Sequence, residues 1–232
     1  MDRKKFRECK ALLFDFGGTI DADGEHWLDR FFALYQDGGL DFRQEEIKRA
    51  FYHADAVCHA DPGIHSIGLR PLVHRHVYHQ FEALSFHDPE KQKELADRFC
   101  DRAEGFFSHR AGLLAYLKTR FRVGVVSNFF GNLTQVFEDA GLAGSVEVLI
   151  DSGRVGIAKP DPRIFQLALE RLRLPPGRAI FIGDSYERDM MPSAQLGLKT
   201  IWLKGPNPRL PEDATPVDAV ITRLSELEVL VR

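Results

Sequence analysis

ALLFDFGGTI, residues 11–20, is a short apolar run that ends on an aspartate and breaks at once into glycine. Ala11–Phe14 has the length of a strand, and Asp15 is its first polar residue. Catalytic strand ends of this kind often carry a second carboxylate two residues after the first, and here that position is Gly17. The stretch predicts a strand that delivers one carboxylate into a glycine-rich turn, one carboxylate short of the usual pair.

Five more apolar runs have strand length: RVGVVS (122–127), VEVLI (146–150), AIFIG (179–183), TIWL (200–203) and DAVIT (218–222). They are continuous rather than alternating, as expected of strands covered on both faces. Helical patterns lie between the later runs: GNLTQVFEDAG (131–141), DPRIFQLALERLRL (161–174) and ERDMMPSAQLG (187–197). Asp161-Pro162 supplies a cap and first-turn proline, and Gly141 and Gly197 make good helix stops. Strand alternating with helix predicts an α/β fold, a doubly wound, Rossmann-like parallel sheet. Residues 21–108 break that rhythm, with no convincing strand and chain breaks at DGGLD (37–41), DPG (61–63) and HDPEK (87–91). Residues 88–107 read as an amphipathic helix. The expected organisation is a core of residues 1–20 and 109–232 interrupted by an α-helical cap of residues 21–108.

The chain has 232 residues, 44% of them hydrophobic and 28% charged, enough to bury a substantial core. A net charge of −3 argues against a general nucleic-acid binder. No apolar stretch after MDRKKFRECK is long enough for a signal peptide or membrane span. Cys9, Cys58 and Cys100 are odd in number and far apart, which fits a reducing cytoplasm.

Ligands of open α/β sheets bind outside the carboxyl ends of the strands. The residues standing there are Asp15, Ser127-Asn128 and Asp184, with Lys159 in the loop GIAKPDP after the third run. Together they suit phosphoryl transfer. A carboxylate can attack phosphorus and split one hard displacement into two easier ones. Nucleophile and phosphate are both anionic, so Mg²⁺ with hard oxygen ligands is expected, Asp184 and Asp189 of GDSYERD supplying the acidic pole. Lys159 would neutralise phosphoryl oxygens, Ser127 would donate a hydrogen bond, and Gly17 and Gly18 would let backbone N–H groups approach the phosphate.

LLFDFGGTI, VVSN, AKPDPRIF and FIGDSYERDM, in this order over residues 11 to about 203, resemble the haloacid dehalogenase superfamily. The likeness is to members with a helical cap after the first strand. It implies that Asp15 is the covalent nucleophile and a Mg²⁺ ligand, and that residue 17 gives the metal its backbone carbonyl. It further implies that Ser127, Asn128, Lys159 and Gly18 hold the phosphoryl group, Lys159 also restraining Asp15. Asp184 would bind Mg²⁺, with Asp189 supporting the metal directly or through water. The dehalogenating branch lacks that acidic pair, so the resemblance points to a phosphatase acting on a small phosphorylated molecule.

Gly17 stands where the family usually carries the aspartate that protonates the leaving group and then activates water. Three readings follow. In the first, the chain is a phosphatase that favours good leaving groups or draws on another proton donor: Asp21, Asp23, Glu25, His26 or a cap histidine. The second is a catalytically degenerate phosphate-binding or regulatory module. The third is phosphonate cleavage, for which Lys48 is the one early cap lysine. The plain reading of Asp21 and Asp23 is as solvated turn residues in DADGE. Eight of nine histidines fall in residues 26–87, including HRHVYH (74–79), and read as solvated or core residues rather than a metal site. Trp27, Phe31, Phe32 and Tyr35 read as cap core.

Overall fold

The computed structural model describes residues 3–206 and 217–231. Six strands, β1 (Ala11–Phe14), β2 (Arg122–Ser127), β3 (Val148–Asp151), β4 (Ala179–Gly183), β5 (Lys199–Leu203) and β6 (Ala219–Ile221), form one sheet in the order β3-β2-β1-β4-β5-β6. Every pairing is parallel. This is the doubly wound α/β architecture that the apolar runs predict. β1 sits at the centre, between β2 and β4, where strand order reverses, and such a switch point is where an open sheet forms its ligand crevice.

The strands read as unbroken apolar runs because both faces are covered. One face packs, through Leu12 and Phe14, into a large core shared with the helical segment, and the other, through Ala11 and Leu13, into a second core. The helical segment comprises α1 (Trp27–Asp37), α2 (Gln44–Ala60), α3 (Leu69–Ala83) and α4 (Pro89–Lys118). Asp88 caps α4, its side chain accepting from the Lys91 N–H, with Pro89 in the first turn. α4 continues without a break through residues 108 and 109, because Leu113, Leu114 and Leu117 extend its buried stripe past the charged pattern.

The remaining helices are α5 (Leu133–Asp139), α6 (Ser152–Val155), α7 (Arg163–Leu172), α8 (Met191–Leu196) and α9 (Leu227–Leu230). α7 buries Ile164, Phe165, Ala168, Leu169 and Leu172, a stripe at helical spacing against the second core. Burying a large aliphatic or aromatic side chain of this kind stabilises the fold by about 1.5–3 kcal/mol. The helix expected from residue 187 begins instead as one π turn, Tyr186–Met190, before α8. Cys9, Cys58 and Cys100 are buried and free, and no helix of the described residues is long and apolar enough to cross a membrane.

Candidate active site

The carboxyl ends of β1, β2 and β4 open into a cleft of about 180 Å³ lined by Asp15, Gly17, Ser127, Asn128, Lys159 and Asp184. Three carboxylates meet at its floor. Asp15, Asp184 and Asp189 each place an oxygen within 4.8 Å of the others. Lys159, buried on the loop after β3, puts its Nζ 2.6 Å from Asp189 Oδ1 and 2.7 Å from Asp15 Oδ1. The Asp15 contact has ion-pair distance without hydrogen-bond alignment, so Asp15 Oδ1 is left buried with no hydrogen-bond donor. Asp189 Oδ2 accepts from the Ser185 N–H, and Asp184 Oδ1 from the Thr19 hydroxyl. The indole N–H of Trp202, on β5, donates to the Asp184 carbonyl at 2.8 Å and braces that strand end.

One ammonium against three carboxylates leaves two negative charges uncompensated in a largely dry place. Burial pushes the Asp184 carboxyl well above the usual carboxylate range, and the charges of Asp15 and Asp189 push it further. Burial also pushes Asp189 up, to about 6, against the pull of Lys159. For Lys159 burial opposes the charged form, but Asp15 and Asp189 outweigh it and raise the pKa. An all-oxygen donor set, an oxygen without a donor and a deficit of two positive charges fit a hard divalent cation.

Two of the expected phosphate contacts are occupied otherwise. The Gly18 N–H donates to Asp21 Oδ1 at 2.7 Å, so it is not turned to a phosphate. Gly18 is needed for its backbone, with φ +86°, and because a Cβ there would lie 2.7 Å from Asp184 Oδ2. The Asn128 side chain is engaged at both ends by the Lys159 main chain, accepting from its N–H at 2.7 Å and donating to its carbonyl at 2.9 Å. It therefore fixes the lysine loop. Ser127 is buried and lines the cleft, its hydroxyl with no hydrogen-bond partner among the described residues. At Gly17 the backbone lies outside the left-handed region, and a Cβ would meet only the Trp27 side chain, Nε1 at 3.5 Å and Cδ1 at 3.7 Å. An L-residue fits there, so the missing carboxylate is not a demand of the fold.

None of the four alternative proton donors in residues 21–26 is free. Asp21 is fully buried rather than solvated, accepting from Gly18 N, from Trp27 Nε1 at 2.6 Å and from Arg30 Nη1 at 2.6 Å. Asp23 pairs with Arg110 at 2.6 Å and accepts from the Leu224 N–H, while Glu25 pairs with Arg102 at 3.0 Å. His26 caps α1 through Nδ1, and its Nε2 lies 2.8 Å from Arg188 Nη2. Lys48 sits 3.9 Å from Glu45 and is not among the residues that line the cleft. His74 pairs with Asp97 and His79 with Glu82, and the aspartate trio is the one candidate metal cluster among the described residues. Trp27, Phe31 and Tyr35 are core, as their spacing predicts, although Trp27 also lines the cleft.

A family model described as haloacid dehalogenase-like hydrolase matches residues 9–197. The chain belongs to this family. Among relatives of this haloacid dehalogenase-like hydrolase, the pyrimidine 5'-nucleotidase YjjG of Escherichia coli (strain K12) is 36% identical over 121 residues, covering 51% of this chain and 53% of the relative. A phosphoserine phosphatase of Thermus thermophilus is 30% identical over 129 residues, 53% of this chain and 52% of that protein. The chain thus matches about half the length of these curated relatives. A solved dehalogenase with a bound intermediate has the same fold, with a TM-score of 0.65 at 19% identity and 97% of each chain covered.

Proposed function

We propose that this family member is a Mg²⁺-dependent phosphoryl hydrolase that works through an aspartyl-phosphate on Asp15 and acts on a small phosphorylated molecule. The observation that carries this reading is the oxygen-only trio of Asp15, Asp184 and Asp189 closed around Lys159. Displacement on carbon has no use for so much negative charge, whereas phosphoryl transfer needs the cation that the charge would hold. The nucleotidase and phosphatase among the relatives support the same choice.

In this reading Asp15, Asp184 and the Gly17 carbonyl would hold Mg²⁺, with Asp189 fixing Lys159 beside them. Bound there, the ion would screen the charge between nucleophile and phosphate. Lys159 holds the Asp15 carboxylate in place and faces the phosphoryl oxygens together with the Ser127 hydroxyl. An Asp15 oxygen bonds to phosphorus as the leaving oxygen departs with its electron pair. Water then displaces Asp15 and releases phosphate. With no acid at position 17, substrates whose leaving groups depart unprotonated react best. A cleft of about 180 Å³, below the 300–1,000 Å³ usual for drug-sized ligands, supports a compact substrate.

Residues 21–108 act as the cap over this cleft, with the second boundary falling inside α4. Three free, buried cysteines support a reducing, cytoplasmic setting. The test is turnover of 4-nitrophenyl phosphate, acetyl phosphate and a sugar phosphate with and without Mg²⁺. Mg²⁺-dependent hydrolysis of the first two, lost in Asp15→Asn, is the expected result. Phosphate-analogue binding without turnover of any of them would identify a binding module instead.

A further inference from the structure

Position 17 is glycine, and Asp21, Asp23 and Glu25 are engaged, so the group that activates water must come from elsewhere. Besides His26, the ionisable groups that line the cleft from the helical segment are Tyr52, Asp55 and His59, three residues spaced along one side of α2. Tyr52 is 46% exposed, and His59 is exposed with its ring 4.4 Å from that of Phe130. Neither side chain has a hydrogen bond among the described residues to fix its direction.

Asp55 is held differently. The buried Tyr35 hydroxyl on α1 donates to Gln80 Oε1 at 2.8 Å, and Gln80 Nε2 donates to His76 Nδ1, also at 2.8 Å. With Nδ1 accepting, the neutral ring carries its proton on Nε2, and that nitrogen lies 3.1 Å from Asp55 Oδ1. Tyr35, Gln80 and His76 are fully buried, and the His76 ring stacks on Phe31 with centroids 5.6 Å apart. The Asp55 side chain is 31% exposed and opens on the cleft. A buried polar chain is stable only when each member is satisfied, and this one is satisfied along its length and ends at the active site. His76 occupies one Asp55 oxygen and leaves the carboxylate with lone pairs that can accept a proton.

We infer that Asp55 is the general base of the second half-reaction and that His76 is its positioning residue, an inference that rests on the phosphoryl-hydrolase reading. The water oxygen bonds to phosphorus while one of its protons passes to the Asp55 carboxylate. The bond between phosphorus and Asp15 breaks, its electron pair returning to the Asp15 oxygen. Inorganic phosphate leaves, and Asp55 releases its proton to solvent. The first half-reaction, with a good leaving group, does not use Asp55.

The experiment is stopped-flow and acid-quench kinetics of the full chain with 4-nitrophenyl phosphate and Mg²⁺. Asp55→Asn keeps an acceptor for the His76 N–H and so preserves the buried chain. The expected result is unchanged nitrophenolate release in the first turnover, followed by steady-state turnover about 10²-fold slower as phosphoenzyme accumulates. His76→Ala slows the same step less, so kcat and KM fall together while kcat/KM is kept. Adding Gly17→Asp to Asp55→Asn restores hydrolysis of the phosphoenzyme, which a merely structural role for Asp55 would not allow. Wild-type turnover in Asp55→Asn, or a rise in KM alone, overturns the inference while the phosphoryl-hydrolase reading stands. If wild type and variants form no phosphoenzyme, the reading itself fails and the inference with it.

Discussion

Replacing Asp21 with alanine should be among the most damaging single changes outside the aspartate trio. Its carboxylate is fully buried and takes three hydrogen bonds, from Gly18, Trp27 and Arg30. Arg30 is itself only 1% exposed, so Asp21→Ala strands a buried guanidinium. Breaking a buried pair from one side costs about 3–5 kcal/mol, and each neutral donor left unpaired adds roughly 1–3 kcal/mol before relaxation. Arg30 keeps its bond to the Phe99 carbonyl at 3.3 Å and its place 3.8 Å over the Phe99 ring, which offsets part of the loss. A net cost of about 4 kcal/mol follows, or roughly 8–16 °C in Tm for a domain of this size. Thermal and urea melts of Asp21→Ala, Arg30→Met and the double variant would measure it. The double variant should regain much of the loss, because no charge is stranded. A single-variant cost under about 1 kcal/mol would refute the reasoning, since a stranded buried charge is never that cheap.

Gly17→Asp should raise turnover of alkyl phosphates by up to about 10²-fold, as general acid catalysis typically allows, because a Cβ at 17 meets nothing closer than 3.5 Å. Substrate profiling of the variant checks this, and an unchanged ratio of alkyl to aryl phosphate turnover would count against it. The metal-free protein should lose stability as pH rises. Asp184 and Asp189 have raised carboxyl pKa values in the fold, the latter about 6, so the fold binds protons there more tightly than the unfolded chain. Their contribution is full below the unfolded value of about 3.9 and is lost through about pH 6 for Asp189 and higher for Asp184. Mg²⁺ takes over from those protons, so its gain in Tm should be larger at pH 8 than at pH 5. Equal gains at both pH values would contradict the assignment.

The sheet was legible because strands covered on both faces leave unbroken apolar runs: β1, β2 and β4 fall on the residues that the runs mark. β3 starts two residues late, at Val148, where its register with β2 begins at Gly124, although the Glu147 N–H already donates to the Val123 carbonyl. The cleft residues Asp15, Ser127, Lys159 and Asp184 were legible as polar residues at or after strand ends. The supports were not, because each is a side-chain contact that no local pattern of the chain marks. Asp21 reads as a turn residue until Arg30 and Trp27 fold over it, and Asn128 reads as a phosphate ligand until the Lys159 main chain takes its amide. Asp55 and His76 lie on different helices. The only sequence trace of the α2 wall is the spacing of Tyr52, Asp55 and His59, three polar residues on one side of a helix.

The most direct measurement is acid-quench mass spectrometry after mixing the protein with acetyl phosphate and Mg²⁺. A covalent phosphoryl group on the peptide holding Asp15, absent without Mg²⁺ and absent in Asp15→Asn, is the predicted result. Mg²⁺-dependent phosphate release with Asp15 unlabelled, or turnover retained in Asp15→Asn, would contradict the account.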